Sequence, residues 1–245
     1  GNLHTNDPPL APSTKTRRGA YGEAIAHQSS LLQTTGRAQY VDDLPETHGN
    51  LFAAPVLSDR PTGAFTLKNL DAARAMPGVA AVVTAAEVPG SNLTGVVPPL
   101  DEQLFREKDV TCAGQLLALA VADSPERAAN AAKAVTVEYD TANAPDPVIT
   151  IQQAIKAGAI NPVQHVLIEG DAAKAIDSAE ENGLVVVRGT VRMNGAEHFY
   201  LETAGAIAMP KDDGAEMEVV ASSQGNHLAQ VYVSRATGLP MHKIV

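Results

Sequence analysis

A chain of 245 residues, 44% of them hydrophobic, is long enough to bury a substantial core as one large domain or two ordinary ones. Its formal net charge is -10 and its Lys and Arg are scattered rather than clustered, so neither nucleic acid nor an anionic membrane is expected as a partner. No apolar run approaches the roughly 20 residues that span a bilayer, the polar N-terminus lacks a signal-peptide core, and the single cysteine, Cys112, excludes an internal disulfide and a four-cysteine iron–sulfur cluster held by this chain alone. A cytoplasmic protein is the expectation.

Residues 1–25, with Pro8, Pro9 and Pro12 among polar neighbours, carry no hydrophobic period and read as a tail or linker. From Leu51 the pattern changes. Leu51–Leu57, Val79–Thr84 and Leu116–Ala122 are apolar runs of strand length bounded by Gly, Pro or Asp, and predict strands buried on both faces. Asp71 predicts the cap of a short helix that Pro77 and Gly78 stop. Ser124-Pro125-Glu126 opens a second helix running to Ala134: Ser can cap, Pro is preset for the first helical position, and Glu faces the helix dipole. A strand, helix, strand unit is thus predicted from Leu116 to Tyr139.

Two prolines between Thr141 and Pro147 cannot continue a ladder, which places a domain boundary near residue 147. The expected organisation is therefore a tail over 1–25, a first domain over 26–147 and the beginning of a second over 148–245. Thr150 and Gln153 make a capping-box pair for a helix over Ile151–Ala157 that Gly158 ends. Asp171 caps a further helix. Strands follow over Leu184–Met193, Leu201–Met209 and Met217–Ser222, with Pro210 to Gly214 as the turn between the last two. Asn226 is placed to cap a helix His227–Thr237 closed by Gly238, and Ile244-Val245 opens an apolar strand, as in a fragment of a longer chain.

The chemistry legible without further help is thin. There is no dinucleotide or phosphate loop, and the histidines show neither i, i+4 pairing nor partner cysteines at zinc spacing, so no protein-held metal is expected. Asn92-Leu93-Thr94 fits a glycosylation pattern but reads better as a polar loop. Glu197-His198 offers an acid–base pair, against the competing reading of a structural histidine under aromatic rings. Ser222-Ser223-Gln224, at a strand end before a helix, reads from the residues alone as a capping turn more readily than as a site. Asp42-Asp43 reads as a solvated turn.

Seven collinear segments add what these patterns lack. Thr35 to Pro45 (TGRAQYVDDLP), Met76-Pro77-Gly78-Val79, Glu87 to Asn92, Val110 to Gln115, Val137-Glu138-Tyr139 with Ile149-Thr150-Ile151, Glu197 to Thr203, and Ser222-Ser223-Gln224 resemble, in order, the molybdenum-binding portion of xanthine dehydrogenases and aldehyde oxidases. The resemblance runs from about Gly22 to Val245. It implies an α+β chain: an α/β-hammerhead domain followed by the N-terminal part of a molybdopterin-binding domain, ending before the family's glycine-rich loop.

The implied activity is oxidation of hypoxanthine or xanthine towards urate, with water as the oxygen source. Electrons would leave through iron–sulfur clusters and FAD, on other domains or subunits, to NAD or dioxygen. The implied cofactor is molybdenum-molybdopterin, whose pterin dithiolene carries the metal without a protein thiolate. Gln224 matches the family's glutamine beside the molybdenum, so it is the cofactor-binding residue implied here. The family's substrate-binding residues and catalytic glutamate would lie beyond Val245, leaving no catalytic residue within this segment and an inactive fragment. The full enzyme is expected to be a homo-oligomer.

Two positions depart from the pattern, Ala196 where relatives carry glutamine and Gly225 where they carry a larger polar residue. An aldehyde oxidase-type relative and a non-catalytic assembly module are the alternatives.

Overall fold

The computed structural model describes residues 24–95, 101–160 and 165–245. Most of the tail assigned to residues 1–25 lies outside them. Two compact units are present, Gly1–Leu44 and Pro45–Val245. In the first, α1 (Ser30–Thr34) precedes a tight turn at Val41–Asp43, where the Asp43 carboxylate accepts the Tyr40 N–H at 2.9 Å. Asp43 thus closes a turn, as read from the sequence.

The second unit runs β1 (Phe52–Leu57), β2 (Gly63–Lys68), α2 (Leu70–Arg74), β3 (Val79–Val83), β4 (Leu93–Thr94), β5 (Glu102–Gln103), β6 (Asp109–Val110), β7 (Leu116–Ala122), α3 (Pro125–Ala134), β8 (Thr136–Asp140), α4 (Ile151–Ala157), α5 (Ala172–Asp177), β9 (Ala206–Lys211), β10 (Glu216–Ala221) and α6 (Asn226–Thr237). The strands form antiparallel sheets ordered β1-β7-β3, β6-β2-β8, β4-β5 and β9-β10.

β7 is the centre of the core. Paired on both edges, it buries Leu117, Ala118, Ala120 and Ala122 completely, and its boundaries are those the sequence predicts. β1 and β3 depart from expectation: each lies at a sheet edge, and β1 alternates between exposed and covered residues instead of being buried on both faces. Ala128 and Ala131 of α3, one helical turn apart, are buried, and Ala131 packs in the cluster with Val56, Val82 and Leu117. Small side chains let helix and sheet approach closely, as the composition demands. Ser124 caps α3 through its Oγ, which accepts the Arg127 N–H at 3.2 Å.

Several local expectations shift. The first short helix begins at Leu70, with Asn69 at the cap position in left-handed backbone (φ 61°), so Asp71 sits in the first turn and pairs with Arg74 at 3.2 Å rather than capping. The strand, helix, strand unit exists, but its two strands serve different sheets, because β8 pairs with β2, which the sequence reading overlooked. α4 has the predicted capping box, with Thr150 Oγ1 accepting from Gln153 N at 3.2 Å and Gln153 Oε1 accepting from Thr150 N at 2.9 Å. Asp171 caps α5 likewise, at 2.9 Å from Lys174 N.

The strand predicted over Leu184–Met193 is not formed. The segment has no regular secondary structure and no ladder pairs it among the described residues, and Val185, Val187, Val191 and Met193 are each at least 85% exposed. The predicted Leu201–Met209 strand starts at Ala206 and continues through Pro210 and Lys211, because the turn to β10 is only Asp212–Gly214, all three at positive φ. The helix after β10 starts at Asn226 itself, with Gly225 at the cap position and no side-chain cap. Ile244 then bridges Met217 in parallel, so the strand expected to open at Ile244-Val245 is present as a single bridge to β10 after α6.

α6 is held at its C-terminal end by the turn before β4. The Gly90 N–H donates to Ala236 O at 2.9 Å and the Ser91 N–H to Arg235 O at 2.7 Å, satisfying carbonyls that a helix end leaves orphaned. A Cβ on Gly90 would collide with Arg235 O, which explains why glycine stands there. Asn92 donates to Phe105 O and to Glu107, both at 2.8 Å, and accepts from Phe105 N at 2.9 Å. Its amide is a loop clasp. No helix among the described residues is long and apolar enough to cross a membrane.

Candidate functional site

β10 ends at Ala221, and the three residues that follow each make a distinct bond. Ser222 Oγ accepts the Gly205 N–H at 2.8 Å and donates to Thr203 O at 3.1 Å, tying the segment before β9 to the end of β10. Ser223 Oγ accepts from Gly225 N at 3.1 Å and shapes the turn into α6. Gln224 is exposed, and its Nε2 donates to Tyr200 Oη at 2.9 Å. The tie made by Ser222 and the bond made by Gln224 bring together two motifs that lie 24 residues apart.

Tyr200 is itself held by a neighbour. The His198 ring stacks on it with centroids 5.3 Å apart and planes within 4°. Between them Phe199 has φ 52°, a left-handed conformation uncommon for bulky residues, and the residue is 93% exposed. Glu197 Oε1 accepts the His198 N–H at 3.0 Å and lies 3.9 Å from His198 Nδ1. With side chains 84% and 72% exposed, Glu197 and His198 form a solvated pair. His198 is therefore stacked against one ring, not packed beneath several.

A hollow of about 430 Å³ opens between β10 and α6, walled by Ser223, Asn226, His227 and Gln230 on its polar side and by residues including Val219 and Val233 on its apolar side. That volume is in the range of small-molecule sites. Gln224 sits in the chain between two of its wall residues. A larger cavity of about 600 Å³ lies against β1, α3 and β8, but none of the residues around Gln224 lines it, so size alone does not identify the site. A Cβ on Gly225 would meet only ordinary contacts with Leu228, the nearest at 3.5 Å, so glycine is not required there.

Comparison with known proteins decides what this arrangement belongs to. Residues 35–143 match the aldehyde oxidase and xanthine dehydrogenase a/b hammerhead domain, and residues 157–245 match the molybdopterin cofactor-binding domain. The chain is 35% identical to xanthine dehydrogenase of Oryza sativa subsp. japonica over 227 residues, covering 92% of this chain and 16% of that protein. It is 33% identical to xanthine dehydrogenase/oxidase of Mus musculus over 250 residues, covering 99% of this chain and 18% of that one.

The chain belongs to the xanthine dehydrogenase and aldehyde oxidase family of molybdenum hydroxylases. Among solved structures, aldehyde oxidoreductase from Desulfovibrio gigas superposes with a TM-score of 0.69 at 24% identity, covering 89% of this chain and 25% of that one. Quinoline 2-oxidoreductase from Pseudomonas putida 86 gives 0.68 at 21% identity, covering 90% and 29%. Both show the same fold, a hammerhead followed by molybdopterin-binding architecture. This member of the family spans under a fifth of the length of those two curated relatives.

The residues present fit such a cofactor. Among the described residues no three His, Cys, Asp or Glu converge as a coordination set. What the chain offers is a hollow walled partly by polar groups and, at Gln224 in the turn between two of its wall residues, an exposed neutral amide that does not itself line it; neutral donors of this kind suit a group that brings its own metal ligands. The sequence reading singled out Gln224 through the resemblance but missed its dependence on Tyr200, because a bond across 24 residues leaves no local signature.

Proposed function

We propose that this chain forms the hammerhead and one wall of the molybdenum site in a molybdenum hydroxylase that oxidises hypoxanthine and xanthine towards urate, with water supplying the oxygen. The observation that carries the reading is the exposed Gln224 amide in the turn between β10 and α6. When bound, the cofactor supplies the two-electron redox chemistry. Gln224 would stand beside it and direct an N–H to the place where negative charge builds as electrons arrive, an electrostatic contribution typically worth a few kcal/mol of barrier. Ser222 and Tyr200 would hold that amide in place, while Ser223, Asn226 and Gln230 would present polar groups to whatever fills the hollow. The first domain would end near residue 147. Electrons would pass to iron–sulfur clusters and FAD carried elsewhere in the enzyme, and the assembled enzyme would be a homo-oligomer.

Support for a purine substrate comes from sequence. The relatives named xanthine dehydrogenase or xanthine dehydrogenase/oxidase are 31–37% identical, whereas the solved aldehyde oxidoreductases are 18–24% identical. The test is to express the complete polypeptide that carries this chain, measure its molybdenum, and follow oxidation of xanthine beside that of an aromatic aldehyde. Stoichiometric metal with xanthine preferred is the expected result. Aldehyde preferred would move the protein to the aldehyde-oxidising branch, and absence of molybdenum would leave a non-catalytic assembly module.

A further inference from the structure

We propose that Tyr200 is the positioning residue for the Gln224 amide; the inference rests on the reading of Gln224 given above. A glutamine amide turns about a broad terminal torsion, so an exposed side chain does not by itself present its nitrogen in one direction. The bond from Gln224 Nε2 to Tyr200 Oη, at 2.9 Å, removes that freedom. It holds the amide at one torsion with Nε2 toward the phenol and uses one of the two N–H groups, leaving the second N–H and the carbonyl for the site. Because the Tyr200 oxygen is here the acceptor, its own hydroxyl hydrogen stays available as a further donor.

The tyrosine has one ring partner, and the chain that carries it is fastened a few residues further on. The His198 ring lies parallel to its own, and Ser222 fastens the chain at Thr203 and Gly205, three to five residues further on. The left-handed backbone at Phe199 lies between the stacked rings. Glu197, His198, Tyr200 and Gln224 thus form one chain of contacts, in which the ring stack orients the phenol and the phenol orients the amide.

The experiment is a double-mutant cycle in the complete enzyme, using Tyr200→Phe, Gln224→Ala and the pair, with molybdenum content measured in each. Tyr200→Phe keeps the ring and its stack and removes only the acceptor oxygen. It is expected to retain its molybdenum, to slow reduction of the metal by xanthine about fivefold, the scale of one neutral hydrogen bond, and to alter the electron paramagnetic resonance signal of molybdenum half-reduced with dithionite. The double variant should be no slower than Gln224→Ala alone, since a positioning residue has nothing left to position. A double variant slowed by the product of the two single effects, or a Tyr200→Phe enzyme with unchanged rate and signal beside a slow Gln224→Ala, overturns the inference and leaves the Gln224 reading standing. Loss of molybdenum from Tyr200→Phe also overturns it, in favour of a structural role. If Gln224→Ala itself changes neither rate nor signal, the underlying reading falls and the inference with it.

Discussion

Two stretches of this protein both read as strands from the sequence and fold differently. Leu116–Ala122 becomes the central strand of a buried sheet, whereas Leu184–Met193, with four consecutive aliphatic residues before Arg188, stays exposed and without a ladder among the described residues. A hydrophobic run states what a segment is willing to do. Whether it becomes a strand depends on partners for its backbone N–H and C=O groups. β7 has β1 on one edge and β3 on the other, and α3 lays alanines across it.

The sharpest way to break that comparison is truncation. Leu117→Ala removes a side chain that is 0% exposed and is expected to destabilise the fold by about 2–5 kcal/mol, read from the urea midpoint. Val187→Ala, at a residue 89% exposed, should change stability by less than about 0.5 kcal/mol. Equal losses would show that the 184–193 segment is packed in the working protein.

A smaller effect tests the link between the β7-centred region and α6. Gly90→Ala would put a methyl group against Arg235 O and break the bond to Ala236 O, so a loss of about 1–3 kcal/mol is expected. An unchanged midpoint would mean that the turn and the helix do not need this close approach.

The smallest expected effect concerns pH. The Glu87 carboxyl is held below the ordinary glutamate value, chiefly by the Thr84 side-chain hydrogen bond and further by the Thr84 backbone and by Arg74. A depressed folded-state value means that its contribution is present above the ordinary glutamate range and is lost as pH falls through the lowered value. Stability of the native chain should therefore fall more steeply on acidification than that of Glu87→Gln. Parallel curves would remove the Thr84–Glu87 hydrogen bonds from the stability of the region.

Legibility followed the same division. β7, α3, α4 and their caps could be read because each is specified by neighbouring residues: a buried run, a Ser-Pro pair, a Thr and Gln three apart. The pairing of β8 with β2 and the loss of the 184–193 strand could not, because both turn on distant partners. The site divides likewise. Gln224 stood out only through resemblance, Ser222 and Ser223 looked like generic turn residues, and the role of Tyr200 depends on a tertiary bond.

The central claim is that the Gln224 amide serves the metal centre. It is tested most directly by mixing xanthine with the oxidised complete enzyme and its Gln224→Ala variant, loaded with equal molybdenum, and timing reduction of the metal. A slowing of at least about tenfold, on the order of 1.4 kcal/mol, is predicted. Identical rates at equal metal content would contradict the account.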